Sequence, residues 1–149
     1  MYKRQLLSNG GAYSLTGNGG SGGTSITSEI AEGSILMYAF NATLGALWIG
    51  KDGTWLKSAT QSEIEAGTVS NAVYSSMSGA NSETWFCCVS PEATGNGATH
   101  GIIDFNFGNG FFGTTAITSA GSNGNGSLFE YDVPSGHYAL NTSNINTYG

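Results

Sequence analysis

Charged side chains are scarce in this sequence, and basic ones are the scarcest. Charged residues make up 9% of the chain, with only four Lys and Arg among 149 residues against ten Asp and Glu. A nucleic-acid interface neutralises phosphates with Lys and Arg, so this composition argues against nucleic acid as a partner. The chain is nevertheless 39% hydrophobic and 11% aromatic, which is typical of a folded domain and not of a disordered segment.

Residues that hold metals or perform catalysis are also few. Cys87 and Cys88 are adjacent, so on a strand their thiols point to opposite faces and cannot pair with each other. His100 and His137 are the only histidines, which leaves few candidates for a catalytic base or a zinc ligand. No apolar window is long enough to span a membrane. We therefore expect no catalytic residues, no metal, no cofactor and no membrane insertion.

Glycine, in contrast, is abundant, with 24 residues. Gly, Ser, Thr and Asn separate short apolar runs, a pattern that indicates an all-β domain with many turns. The clearest signal is a hairpin with strands at 35–41 and 46–50, followed by an Asp52-Gly53 turn whose residues favour positive φ. Further strands are expected at residues 12–15, 26–30, 54–56, 72–74, 83–90, 128–133 and 137–142, and one helical turn at residues 62–67.

The stretch at residues 101–113 is the strongest candidate for the centre of the fold. Ile103, Phe105 and Phe107 alternate with other residues and lie between glycines. Period-two alternation of strong strand formers predicts a strand with one face in the core. We therefore expect Phe105 to be buried between two sheets.

The first residues look foreign to the domain. Residues 2–5, Tyr-Lys-Arg-Gln, resemble the translated end of a transposon adapter used to prepare sequencing libraries. Such segments are excluded from fold reasoning. We expect residues 1–5 to be a sequencing scar on a metagenomic fragment, residues 6–142 to form one β-sandwich without its first strands, and residues 143–149 to form a tail.

Three motifs in the second half carry a family resemblance. They are Asn106-Phe107-Gly108, Pro134-Ser135-Gly136 and the segment Tyr-Ala-Leu-Asn-Thr at residues 138–142. Upstream, residues 46–55 (ALWIGKDGTW) form a hairpin pattern with Asp52 where the family usually has Asn. Together they resemble the C-terminal portion of the SPRY domains found in tailed phages.

This resemblance implies a concanavalin-like antiparallel β-sandwich, a jelly roll, that binds a ligand and is not an enzyme. In phages such domains accompany tail fibres and other virion surface proteins, which are assembled in the cytoplasm of the bacterial host. The implied partners are a host-surface glycan or protein and other virion proteins, with homo-oligomerisation through the parent protein.

The predicted ligand site lies in the loop at residues 91–100. Two predicted strands flank this loop, and loops held by rigid sheets often carry recognition residues. Asn96, Thr99 and His100 offer neutral donors and acceptors that suit sugar hydroxyls. Trp55 follows a tight turn and is a further candidate, divided between the core edge and a surface that stacks on sugars.

Two alternative functions remain open at this point. The domain could be structural and could space or oligomerise a fibre. It could also be a glycan-cleaving jelly roll, in which Asp104 and Glu130 would form a carboxylate pair. Polar decoration of two strands is the simpler interpretation of these two acids.

Overall fold

A computed structural model describes the chain at residues 5–8, 13–16, 24–26, 33–75, 77, 104–112 and 115–148. The chain divides into two compact units, Met1–Asn81 and Ser82–Gly149. Within the described residues the fold is β-rich, with small antiparallel sheets and short helices. No helix in these ranges is long and apolar enough to cross a bilayer.

Three short strands of the first unit form one antiparallel sheet. In spatial order they are β1 (Gln5–Ser8), β2 (Tyr13–Thr16) and β3 (Thr24–Ile26). The strand predicted at residues 12–15 is confirmed as β2. Strand β3 shares only Ile26 with the strand predicted at 26–30, and residues 27–30 lie outside the described part, so the rest of that prediction is not tested.

A second antiparallel sheet contains the predicted hairpin. Its strands are β4 (Leu36–Asn41), β5 (Ala46–Lys51) and β6 (Thr54–Trp55), with β5 in the middle. The β5–β6 turn has φ of 49° at Asp52 and 82° at Gly53, which confirms the predicted turn chemistry. Asp52 Oδ1 also accepts a hydrogen bond of 2.8 Å from the Ile35 amide, so this turn residue fastens the start of β4.

The indole of Trp48 is the centre of the core in the first unit. Its side chain is 1% exposed, and Trp48 lies opposite Ala39 in the register of β4 and β5. Small side chains surround this large ring, and the partly buried Trp55 and Val69 pack against the cluster. The buried members are Ala39, Ala46, Trp48, Ala59, Ile64 and Ala72.

The predicted helical turn is helix α1 (Gln61–Glu65), which follows a 3-10 turn at Leu56–Ser58. A capping box begins α1: Thr60 Oγ1 accepts from the Glu63 amide at 3.2 Å, and the Glu63 carboxylate accepts from the Thr60 amide at 2.8 Å. The Asn71 side chain donates to the second Glu63 oxygen at 2.9 Å. These hydrogen bonds, that of the Thr60 backbone above all, hold the pKa of Glu63 below its ordinary value of 4.5.

The second unit has little regular structure in its described residues. Strand β7 (Phe111–Phe112) pairs with β8 (Thr115–Ala116), and helix α2 (Thr142–Tyr148) occupies the segment expected to be a tail. The strands predicted at 128–133 and 137–142 are not formed, since single bridging residues stand in their place. These bridges join Asn109 to Leu128 and Gly124 to Tyr138. The strand predicted at 83–90, with Trp85, Cys87 and Cys88, lies outside the described residues.

The prediction of a central core strand is wrong at residues 104–108, which form no strand. Phe105 is 45% exposed and Phe107 is 44% exposed, so neither ring is buried in a core. The reason is Asn106, whose side-chain oxygen accepts hydrogen bonds from the amides of Gly108 and Gly110. These bonds form a turn where a strand was predicted. Ile103 lies outside the described residues.

The burial of Trp48 and the exposure of Phe105 predict opposite outcomes for two aromatic truncations. Trp48→Ala should leave a cavity and lower the free energy of unfolding by about 3–5 kcal/mol. Phe105→Ala removes a ring that is nearly half exposed and should cost less, about 1 kcal/mol. Urea unfolding followed by far-UV circular dichroism measures both. If Phe105→Ala lowered the free energy of unfolding as much as Trp48→Ala, Phe105 would have to be buried, as the predicted strand requires.

The lowered pKa of Glu63 predicts a pH-dependent contribution to stability. Because the folded chain holds the carboxylate ionised, this contribution is present above pH 4.5 and is lost as the pH falls through the lowered pKa. Glu63→Gln keeps an acceptor for the Thr60 amide but has no titrating group. The melting temperature of the unmodified chain should therefore fall more steeply below pH 4.5 than that of Glu63→Gln. If the melting temperatures of the two proteins fell equally with pH, the ionised carboxylate would not have this stabilising role.

Candidate ligand-binding site

Of the residues predicted to bind a ligand, only Trp55 lies in the described part of the chain. Its ring is partly buried and packs against the Trp48 core cluster. A Cβ at Gly50 would come within 3.1 Å of the Trp55 ring, so the indole lies over that glycine. Trp55 therefore belongs to the edge of the core. Asn96, Thr99 and His100 lie outside the described residues, and their role stays a prediction.

Asp104 and Glu130, the two acids considered for glycan cleavage, are both exposed. The described residues contain no group of three or more His, Cys, Asp or Glu placed to hold a metal ion.

Phe105 and Phe107 form an exposed pair, here named the aromatic ridge. Their ring centroids are 5.8 Å apart and their planes lie within 4° of parallel. Fully overlapping rings would be separated by roughly 3.5 Å, so these two overlap only in part. Each ring therefore exposes apolar surface to the solvent and packs in part against the other ring.

Asn106, between the two rings, fixes the backbone beneath the ridge. Its Nδ2 donates to the Leu128 carbonyl at 2.8 Å. Its Oδ1 accepts from the amides of Gly108 at 2.7 Å and Gly110 at 3.3 Å. The side chain of one residue thus satisfies three backbone groups, two of them in a tight local turn. This arrangement directs Asn106 inward and leaves its aromatic neighbours outside.

Close packing at Gly108 holds the ridge against the segment before α2. A Cβ at this position would lie 2.9 Å from the Cβ atoms of both Ala139 and Ser127. Gly108 also has a φ of 95°, a conformation that favours glycine. Both the space and the backbone conformation therefore require glycine at this position.

A second asparagine, Asn141, connects the ridge to helix α2. Its Nδ2 donates to the Phe107 carbonyl at 3.3 Å, and its Oδ1 caps α2 by accepting from the Asn144 amide at 3.0 Å. The buried Asn144 side chain donates to the Ala139 carbonyl at 3.0 Å. The backbone of the ridge is consequently attached at Leu128 and again at the start of α2.

The half of the chain that carries the ridge is acidic in composition. Residues 82–149 contain five acidic residues and neither Lys nor Arg. Asp132 uses its carboxylate within the fold, where it accepts from the amides of Ser122 at 2.8 Å and Asn123 at 3.1 Å. An anionic ligand would therefore find no Lys or Arg in this half of the chain.

The sequence contained a signal for the ridge that the alternation pattern concealed. An Asn followed by Gly two and four residues later is typical of a side chain that closes a turn on its own backbone. Asn106, Gly108 and Gly110 have this spacing. Reading them as a turn would have placed the two phenylalanines beside a loop and not within a strand.

Comparison with known proteins identifies no relative: no family model, curated protein or solved structure matches this chain.

Two glycine substitutions separate the effects of packing and backbone strain. Gly108→Ala would meet Ala139 and Ser127, whereas a Cβ at Gly136 would have nothing within 4 Å. Both glycines have positive φ, 95° and 80°. Gly136→Ala should cost about 1–2 kcal/mol from strain alone, and Gly108→Ala should cost about 1–3 kcal/mol more. Chemical denaturation gives both values, and equal losses would contradict the close packing at Gly108.

Proposed function

We propose that this chain is a non-enzymatic binding module of a phage virion or tail-fibre protein that recognises a host-surface glycan or protein. The proposal includes a SPRY-type, concanavalin-like β-sandwich. The observation that carries it is the aromatic ridge, an exposed pair of rings on a backbone that is fixed at several points. Exposed aromatic side chains on a rigid support are common in recognition surfaces.

The motifs of the resemblance support this proposal, because each has a structural task. Asn106 bonds to three backbone groups, and Gly108 fits where a Cβ would collide. Gly136 has a φ of 80° in the turn that Pro134 begins, and Asn141 caps α2. A fold that depends on these residues would retain them while its ligand contacts vary.

The predicted loop and the ridge are close along the chain. His100 precedes Phe105 by five residues, so the two lie within about 18 Å of each other even if the chain is fully extended. The ligand surface in this proposal therefore comprises the ridge together with Asn96, Thr99 and His100.

A structural role in fibre oligomerisation is the second candidate. Leu140 is 60% exposed and Ile145 is 52% exposed, and both lie in the described part of the second unit. Exposed apolar side chains of this kind are also found where copies of one chain associate.

Binding to bacterial cells tests the proposed function. The fluorescently labelled chain should be retained on cells of some strains in a broad panel, without release of reducing sugar. Phe105→Ala with Phe107→Ala should weaken retention about tenfold or more, the effect of losing about 1.4 kcal/mol of contact energy. Asn96→Ala with His100→Ala tests the predicted loop in the same assay.

Three results would count against the proposal. Retention on no strain, combined with self-association of the chain in sedimentation, would favour the oligomerisation role. Retention that neither double variant weakens would place the ligand surface elsewhere. Sugar release that depends on Asp104 and Glu130 would indicate an enzyme.

A further inference from the structure

We propose that the aromatic ridge binds an uncharged glycan, with Phe105 and Phe107 contacting the apolar face of a sugar ring. This inference rests on the proposed function and specifies the ligand class of the same site. The proposed ligand is a neutral carbohydrate and not an acidic polysaccharide, a protein receptor or a second copy of the chain.

The size of the ridge favours a sugar over a protein. A phenylalanine residue has roughly 200 Å² of surface, so exposures of 45% and 44% leave about 90 Å² of each residue in water. The pair therefore offers about 180 Å², whereas a stable protein interface buries about 800 Å² on each partner. A contact of the smaller size suits one or two sugar residues.

The shape and rigidity of the ridge suit stacking. The carbon-bound hydrogens on one face of a pyranose pack on aromatic carbons through dispersion, and the negative face of the ring attracts them. The rings are parallel within 4°, and Asn106 and Gly108 fix the backbone that carries them. Little conformational freedom is then lost when a ligand binds, which favours affinity from a small contact area.

Neutral and acidic groups beside the ridge suit sugar hydroxyls. Asp104 precedes the first ring and Asn109 follows the second, and both residues are exposed. A carboxylate accepts hydrogen bonds from hydroxyls, and an amide side chain both accepts from hydroxyls and donates to them.

The negative charge of this half of the chain argues against an acidic polysaccharide as the ligand. The half of the chain that carries the ridge has five acids and no Lys or Arg, so a polyanion would be repelled. A neutral polysaccharide has no such penalty, and its binding should be nearly independent of salt concentration.

Affinity electrophoresis of the whole chain tests this assignment. The gels contain dextran, mannan, galactan or a chitin oligomer as neutral probes, and polygalacturonate or hyaluronate as acidic probes. At least one neutral probe should retard the chain, equally at low and high salt, and neither acidic probe should do so. Phe105→Ala with Phe107→Ala should weaken this binding about tenfold or more.

Two further variants separate stacking from general hydrophobicity. Phe105→Leu with Phe107→Leu keeps apolar bulk but removes the flat rings, and it should also weaken binding about tenfold. Ile145→Ala is the matched control, because Ile145 is an exposed apolar residue of the same unit outside the ridge. Its binding should stay within about twofold of the unmodified chain. Thermal melting of every variant verifies folding.

Four outcomes would overturn the inference. They are retardation by an acidic probe, no retardation by any neutral probe, unchanged binding by the Ala pair, and full binding by the Leu pair. If the chain binds bacterial cells but no neutral probe, the inference fails while the proposed function stands. If the Ala pair instead turns a dimer into a monomer without weakening glycan binding, the ridge is an oligomer contact.

Discussion

The hydrogen bonds of one amide side chain determine which side chains of residues 105–107 face the solvent. Asn106 donates to the Leu128 carbonyl and accepts from the amides of Gly108 and Gly110. Without these bonds, three backbone groups would need other partners, and an unsatisfied buried group costs about 1–3 kcal/mol. Because Asn106 occupies the inner side of the turn, Phe105 and Phe107 are left on the outer side. The exposure of two aromatic rings, normally an unfavourable arrangement, thus follows from a polar group that must be satisfied.

The two units are stabilised by different physical means. The first depends on burial, since a ladder of antiparallel strands places the indole of Trp48 among alanines and Ile64. In the described residues of the second unit, where the strands are very short, amide and carboxylate side chains bond to the backbone instead. These side chains are Asn106, Asn123, Asp132, Asn141 and Asn144. This division follows the composition, since eight of the chain's thirteen Asn lie in residues 82–149.

Local chemistry made part of this structure predictable. The Asp52-Gly53 turn depends on the φ preferences of two adjacent residues. Trp48 lies in β5, which pairs with the strands immediately before and after it in the sequence. The ridge was not predictable in the same way, because alternation indicates that Phe105 and Phe107 share a side but not whether that side is buried. That outcome depends on Leu128 and Asn141, which are 22 and 34 residues away from their partners Asn106 and Phe107. The loop residues Asn96, Thr99 and His100 stay predictions from sequence.

Solvent exposure of the two rings is the claim on which the account of the site depends most directly. Relaxation of phenylalanine and tryptophan ring protons by a soluble paramagnetic agent measures this exposure residue by residue. We expect strong relaxation for the rings of Phe105 and Phe107, a through-space contact between them, and protection of the Trp48 indole. If the rings of Phe105 and Phe107 were as protected as that indole, they would be buried and the ridge would not exist.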